Sequence, residues 1–506
     1  MKGLIKTVNN LLLGHKRQQT SDPGEEFAIA RFFAKLEAPD KSVVKARADE
    51  AWLRWISSDD QLRVPQTLNL SWVFARSFIH KALRGFRWDQ VLFTNGSQFT
   101  PTLGANSVAD KLQGDWTVTP DCFDLFAIMA YKHRALKVAV KKRWRNYVKK
   151  NNWSRVYCDN ALFHVFSNSK NLGESIFRFK LSCIVTWVQG NRYSTVPKNN
   201  LKDRSIALEP LLNMFVQRAI GDGIRESMKR NLGIDLNILA DEHQTKISNS
   251  EYATVDLSDA SDSISHELVR FLLPNRIFGL IDKSRSPMTL GPDGIYHLVN
   301  KTSSMGNGFT WDLMALILTA VCRRRDAEAT VFGDDILVKN KYALDIIADI
   351  ELGGFIVNKT KSFIDSPFRE SCGANYLDGY GYILSFDVKY ITDELELIST
   401  LNKIGILASL YPSFVCLRDA VGKVVPSALL GSSNFIVTAG HFTAAPDPDI
   451  STFVTYWPPQ PTGAKVSRKM VYRAKSMMRD LQLSGKLRFI RGFESALPSA
   501  VRSLHA

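Results

Sequence analysis

Between residues 251 and 363, apolar and polar positions fall into short, sharply bounded blocks. "EYATVDLS" (251–258) reads as a short strand in which Val255 and Leu257 straddle Asp256. "SISHELVRFLL" (263–273) has the spacing of a helix. "GNGFTWDLMALILTAVCRRR" (306–325) is a glycine loop followed by a strongly apolar helix. Its densest part, "LMALILTAVC" (313–322), lies between Asp312 and Arg323. It falls short of the roughly 20 apolar residues that a membrane span needs, so it reads as a buried helix. "ATVFGDDILVK" reads as strand–turn–strand, because Gly-Asp is a favoured hairpin centre. "ALDIIADIELGGFIVN" (343–358) is a helix, a Gly353-Gly354 stop, then a strand. The order β-α-α-β-β-α-β predicts a compact sheet with helices on one face, an α+β module.

The flanks differ in character. Residues 1–180 read mainly as helices with loops, as in "FAIARFFAKLEA" and "SWVFARSFIHKALRGF". The N-terminal "MKGLIKTVNNLLLGHKRQQT" is basic and lacks acids, as transit peptides do, but reads rather as a surface-packed amphipathic helix. Residues 132–155 carry ten Lys/Arg and no acid, interleaved with Trp144, Tyr147 and Trp153. That segment is either a solvated helix face or a phosphate-tracking surface with aromatics for stacking. "PPQPTG" (458–463) reads as a linker or turn, and residues 464–506 hold ten Lys/Arg against Asp480 and Glu494.

Composition adds little to this until charge is considered. The 506 residues leave room for several domains, and Lys+Arg 65 against Asp+Glu 50 gives +15. The excess suits a polyanionic partner. Six scattered cysteines with no C-x-x-C pair indicate neither a disulfide framework nor a zinc knuckle, and the nine histidines show no metal-ligand spacing.

The acids sharpen the picture. Asp334 and Asp335 interrupt an apolar run in which Val331 and Phe332 precede them and Ile336, Leu337 and Val338 follow. An Asp-Asp turn alone is a modest clue, since such residues also hydrogen-bond their own backbone. Asp256, however, opens a second acidic run with Asp259 and Asp262. If its strand pairs beside the 330–338 hairpin, three carboxylates converge at one sheet edge. Unpaired, they would repel one another and raise their own pKa values. Divalent cations resolve that, since Mg²⁺ is held by one or two carboxylates plus substrate phosphates.

"VDLSDASDSIS", "SSMGNGFTWDL" and "FGDD", in this order, resemble motifs A, B and C of the RNA-dependent RNA polymerases, most closely the replicase beta subunit of the single-stranded RNA bacteriophages (leviviruses). "TVPKNNLKDRSIALEPLLNMF" (195–215), "GFIVNKTKSF" (354–363) and "FRESCGANY" (368–376) resemble that family's motifs F, D and E. The resemblance covers about 195–380 with six ordered motifs and implies a right-hand fold with an antiparallel-sheet palm. The boundaries expected from it are fingers 1–204, palm 205–270, a fingers insertion 271–302, palm 303–395, and a thumb with a basic tail 396–506.

The resemblance also implies roles. Asp256, Asp334 and Asp335 are the expected metal ligands and catalytic acids, for two Mg²⁺ ions with Mn²⁺ as a substitute. Lys361 matches the lysine that protonates departing pyrophosphate, with Lys359 a competitor for the assignment. Asp262 and Asn307 match the pair sensing the ribose 2′-OH, with Ser304 and Gly306 beside them in the substrate site. Lys198, Lys202 and Arg204 match cations that neutralise the triphosphate. Each has a plainer reading. Asp262 would serve as a helix N-cap for 263–273; 306–308 is then just a flexible loop, and the lysines and Arg204 are surface charges. Arg369 and Cys372 are expected to support a hairpin near the primer terminus, the thiol inert.

The implied activity is template-directed RNA synthesis from ribonucleoside triphosphates, replicating a viral RNA genome in the cytoplasm of a bacterial host. The implied partners are RNA template and product, host elongation factors Tu and Ts and a ribosomal protein, with no membrane span. A reverse transcriptase is the nearest rival; Gly333 and Asn307 argue against it. A non-catalytic RNA-binding scaffold would need only the basic segments and leaves the ordered acids unexplained.

Overall fold

A computed structural model of the chain describes residues 2–16, 20–36, 41–62, 69–88, 90, 99–100, 111–112, 114–153, 172–198, 202–392, 394–425, 441–442 and 454–455. The basic segment 464–506, the 458–463 linker and most of the expected thumb lie outside these residues. The chain forms two compact units. One comprises residues 1–45, 198–202 and 379–506, and the other 46–197 and 203–378.

The centre of the larger unit is a three-stranded antiparallel sheet. Tyr252–Val255 pairs with Asp335–Lys339, which pairs in turn with Thr330–Phe332. Asp335 stands opposite Phe332, so Gly333 and Asp334 alone make the turn, and Gly333 takes the positive φ of 67° such a turn demands. Alternation sorts the side chains. Ala253, Val255, Val331, Ile336 and Val338 face the main core, built with the Leu211–Leu232, Thr310–Cys322 and Asn340–Leu352 helices. On the opposite face Tyr252 and Leu337 pack with Ile247, Ala374 and Tyr376. The Thr310–Cys322 helix is buried at every position but Trp311, as its strongly apolar sequence requires.

Two expected elements differ in detail. The strand foreseen over 251–258 is two strands, since Leu257–Ser258 leaves the first ladder and pairs with Ile356–Val357. The break falls on Asp256, which belongs to neither ladder. Its N–H donates to Ser362 Oγ at 3.2 Å and its C=O accepts from Asn358 N–H at 2.9 Å, so no main-chain group is orphaned. The helix foreseen over 263–273 runs His266–Leu272 because Ser265 caps it, accepting from Leu268 N–H at 3.1 Å. Asp262 is therefore not its cap; it closes a 3₁₀ turn, Ala260–Asp262.

A second sheet lies in the same unit, ordered Asp203–Leu208, Asn191–Pro197, Met288–Leu290, Tyr296–Leu298. A hairpin of Phe368–Ser371 and Ala374–Leu377 turns at Cys372 and Gly373, both at positive φ. Arg369, 1% exposed, clasps that hairpin. It donates to Ile247 O at 2.6 Å and Ser366 O at 2.8 Å, and pairs with Asp378.

In the smaller unit, the helices Lys2–Gly14, Pro23–Phe33, Glu394–Ala408 and Pro412–Gly422 share a core that includes Val8, Leu12, Phe32, Leu401 and Phe414. Asn9, fully buried, exchanges hydrogen bonds with the Ile391 main chain at 2.9 and 3.0 Å. The N-terminal segment is thus a helix packed by its apolar stripe. Among the described residues, no helix is long and apolar enough to cross a membrane.

Candidate active site

The register brings the acids together. Ile336 pairs with Val255, so Asp335 and Asp256 fall opposite each other one position beyond the ladder, and Asp334 occupies the adjoining turn. Alternation turns Asp335 and Asp256 to the face away from the main core, towards the 368–377 hairpin. Their electrostatics register the gathering. Burial, then the charges of Asp334 and Asp256, push the Asp335 carboxyl from 3.8 to about 7, against a hydrogen bond from Cys372 N–H. Burial likewise raises Asp256, with Asp334 and Glu370 adding to the shift and Asn358 and Lys361 opposing it. Both shifts are what crowded, partly desolvated carboxylates show.

Neighbours fix these groups. Asn358 Nδ2 donates to Asp256 Oδ2 at 2.8 Å. Lys361 lies 3.8 Å from Glu370 and is close enough to lower the Asp256 pKa; both it and Lys359 are exposed. The hairpin tip is anchored from behind, where His243 Nδ1 meets Ser371 Oγ at 2.9 Å and Gln244 donates to Cys372 O at 3.0 Å. Burial holds His243 down at about 3, so it is neutral. Burial and the Asp335 charge push the Cys372 thiol up to about 12, which makes it unreactive.

Asn307 and Asp262 are held separately, and no hydrogen bond joins them among the described residues. Asn307 is buried; its side-chain oxygen accepts from Phe309 N–H at 3.0 Å and its amide donates to Glu209 Oε1 at 3.4 Å. Asp262 accepts from Trp55 Nε1 at 2.9 Å and from Lys301 Nζ at 3.3 Å. Ser304 is buried, and its carbonyl accepts from Asn307 N–H and Thr310 Oγ1, both at 3.1 Å. Gly306 has φ 108°, and a Cβ there would lie 2.2 Å from Ala207 O, so only glycine fits. Lys198, Lys202 and Arg204 are all exposed; Arg204 lies on the Asp203–Leu208 strand, and Lys198 N–H donates to Lys202 O at 3.1 Å.

Sequence reasoning missed Glu209, Asn358 and Lys301. Glu209 is buried and raised by that burial, and it accepts from Ser286, Gln217, Asn191 and Asn307. For Glu209 and Lys301 the available signal was a lone charge beside an apolar stretch; Asn358, a neutral amide, gave none. Among the described residues, no group of three or more His, Cys, Asp or Glu is arranged to hold a metal ion unaided. A hard cation such as Mg²⁺ takes one or two carboxylates and completes its shell with substrate phosphates. The donor set is all oxygen, and burial followed by neighbouring acids raises Asp335 and Asp256, which fits such an ion.

Residues 53–410 match the family described as RNA replicase, beta-chain. The RNA-directed RNA polymerase subunit beta of Escherichia virus Qbeta is 40% identical over 226 residues, 42% of this chain and 38% of that one. The corresponding chain of Enterobacteria phage SP is 34% identical over 250 residues, 47% of this chain and 43% of that one. The RNA-directed RNA polymerase beta chain of Enterobacteria phage fr is 31% identical over 396 residues, 73% of this chain and 64% of that one. The matched segments thus span less than half the length of the first two relatives. Among solved structures, the insertion-loop deletion mutant of the RNA-dependent RNA polymerase of a human picorbirnavirus is 13% identical with a TM-score of 0.33, over 47% of this chain and 59% of that one. That overlay is too loose to carry weight.

Proposed function

The chain belongs to the RNA replicase beta-chain family, and from that premise we propose that it is an RNA-directed RNA polymerase of a single-stranded RNA bacteriophage. The observation that carries the reading is the break at Asp256, which sets its carboxylate opposite Asp335 and beside the Asp334 turn. The reaction is attack of a 3′-OH on the α-phosphate of a ribonucleoside triphosphate, with release of pyrophosphate.

Asp256 and Asp334 hold the divalent cations, two Mg²⁺ with Mn²⁺ as a substitute, and Asp335 assists. Bound there, such ions supply charge neutralisation and a lowered pKa at the attacking hydroxyl. The side chains do the rest by alignment. Asn358 orients Asp256, and Lys361 donates the proton that the departing pyrophosphate needs. Asn307 and Asp262 border the ribose, Ser304 and Gly306 shape the loop between them, and Lys198, Lys202 and Arg204 receive the triphosphate.

We read the architecture as a right hand: fingers 1–204 and 271–302, palm 205–270 and 303–395, thumb from 396. RNA template and product occupy it in the cytoplasm of the bacterial host, with elongation factors Tu and Ts and a ribosomal protein as partners. The test is Mg²⁺-dependent incorporation of rNTPs on an RNA template, the parent chain compared with Asp334→Asn. Incorporation by the parent, lost in the variant with RNA binding retained, is the expected result. Undiminished synthesis by the variant removes the metal assignment, and dNTP use in preference to rNTPs removes the polymerase class.

A further inference from the structure

The Arg134–Lys150 helix presents a second basic surface that the proposed catalysis does not use. Lys132, just before it, and Arg134, Lys137, Lys141, Lys142, Arg145, Lys149 and Lys150 are all exposed. The helix contains no acid. Among the described residues none of these eight cations is in an ion pair; Lys137 alone has a partner of another kind, the Tyr131 ring at 4.0 Å. Like charges three and four residues apart destabilise a helix, so the array weakens its own element unless a polyanion covers it.

Geometry narrows the polyanion. Lys137, Lys141, Arg145 and Lys149 recur every fourth residue, a single row about 18 Å long at 1.5 Å per residue. At the end of that row a cleft of about 510 Å³ is lined by Trp144, Arg145, Val148, Lys149, Asn152 and Trp153. Trp144 stacks on Tyr147 at 5.8 Å and meets the Trp153 ring edge-on at 5.5 Å, so the indoles are held by packing rather than free to collapse into the cleft. Arg143, on the inward side, donates to Leu112 O at 2.8 Å and fixes the helix to its support. A row of cations leading to an aromatic-walled cleft is the arrangement that single-stranded nucleic acid takes, with phosphates along the row and a base in the cleft. A duplex keeps its bases stacked and has nothing to place there. An acidic protein would use the charges and leave the indoles idle.

We propose that this helix and its terminal cleft form a holding site for single-stranded RNA, separate from the carboxylate cluster and independent of sequence.

The experiment uses the full chain, without metal or nucleotides, and a labelled 20-nucleotide oligouridine. Affinity is followed by fluorescence anisotropy across a salt series for the parent and for a variant with Lys137→Gln, Lys141→Gln, Arg145→Gln and Lys149→Gln. Each phosphate neutralised contributes about 0.7 to the log–log salt slope of a single strand, so the slope should become shallower by roughly 3 if all four engage. Trp153→Leu should weaken binding severalfold with the slope unchanged, because stacking releases no ions. Circular dichroism at the assay temperature must match the parent for both variants, and the quadruple variant should unfold no lower than the parent, since neutralisation relieves the repulsion along the row. A blunt-ended RNA duplex of equal length is the competitor, and it should displace the oligouridine poorly. An unchanged slope in the quadruple variant overturns the proposal, and so does preferential binding of the duplex. If the quadruple variant instead loses retention of an acidic protein while its RNA slope stays put, the surface is a protein-docking one and the proposal fails. Because no synthesis is measured, these outcomes are separate from the failure of the polymerase reading.

Discussion

The side-chain amide of Asn307 reaches Glu209 Oε1 at 3.4 Å, and that carboxylate is 1% exposed. Asn191 shares the same oxygen at 3.1 Å, while Gln217 and Ser286 take the other at 3.0 and 2.7 Å. Four neutral donors converge on a group that can only accept, which fixes how the Asn307 amide is presented. Gln217 cannot reverse to help, because its own oxygen accepts from Gly308 N–H at 3.2 Å.

Glu209→Gln is therefore an isosteric change with a large effect. Either orientation of the new amide sets a donor against a donor, which costs about 1–3 kcal/mol for a buried group left unpaired. With the loop loosened, discrimination between rNTPs and dNTPs should fall about tenfold, the equivalent of about 1.4 kcal/mol. Thermal unfolding and paired incorporation assays check both. A variant that loses stability with its selectivity unchanged would leave Glu209 a structural group only.

How much of this was legible beforehand depended on the range of the interaction. The hairpin at 333–334, the apolar 310–322 helix and the glycine stop at 353–354 are local patterns, and each formed where its own residues dictate. The break at Asp256 was not legible. It arises because residues about a hundred positions downstream, Ile356–Val357, Asn358 and Ser362, compete for the same stretch of main chain. The core shared by Val8 and Leu12 with Leu401 and Phe414 is longer-ranged still, and no periodicity announces a partner 400 residues away. Gly306 stood out as a loop residue, but its steric need, the nearby Ala207 carbonyl, lies in a strand a hundred positions upstream.

Asp335 makes the metal-free protein sensitive to pH. Its carboxyl is raised from 3.8 to about 7 by burial and by Asp334 and Asp256. A carboxyl with a folded pKa above its unfolded one binds its proton more tightly when folded. Its contribution therefore favours the fold fully below pH 3.8 and is lost as pH rises through about 7. Unfolding midpoints measured without divalent cations should fall across that window, and Asp335→Asn should flatten the curve. Added Mg²⁺ should restore the lost stability at the upper end, since ligation needs the deprotonated carboxylates. Identical curves for the parent and Asp335→Asn would show that residue 335 does not titrate there.

Asn358 offers a gentler handle on the same cluster. Its hydrogen bond at 2.8 Å opposes the rise in the Asp256 pKa that burial and the neighbouring acids impose. Asn358→Ala should let that pKa climb further and leave the carboxylate free to turn. Loss of an outer partner of a metal-binding carboxylate commonly costs 10–100-fold in affinity, so the Mg²⁺ needed for half-maximal incorporation should rise by about tenfold or more. A Mg²⁺ titration of synthesis by both proteins decides it. An unaltered titration would mean that Asp256 is held in place by its main-chain contacts alone.

Lys301 tests whether the Asp262 environment is built from charge or from shape. The ammonium is 3.3 Å from Asp262 and 3.8 Å from Asp59, and lies 3.8 Å over the Trp55 ring, with the residue 1% exposed. Asp59 is itself buried and accepts main-chain N–H bonds from Asn300 at 2.8 Å and Lys301 at 3.1 Å. Lys301→Met keeps much of the side-chain volume but strands two carboxylates without their cation. Breaking a buried pair in this way costs about 3–5 kcal/mol, which a urea unfolding curve resolves easily. Adding Asp262→Asn to that variant removes one of the stranded charges and should recover part of the loss. Lys301→Met alone should also release Asp262 to turn, weakening selection for the ribose hydroxyl along with stability. Should the single variant unfold at the parental urea concentration, the Lys301 charge contributes nothing net, and the Asp262 side chain is held by the Trp55 hydrogen bond instead.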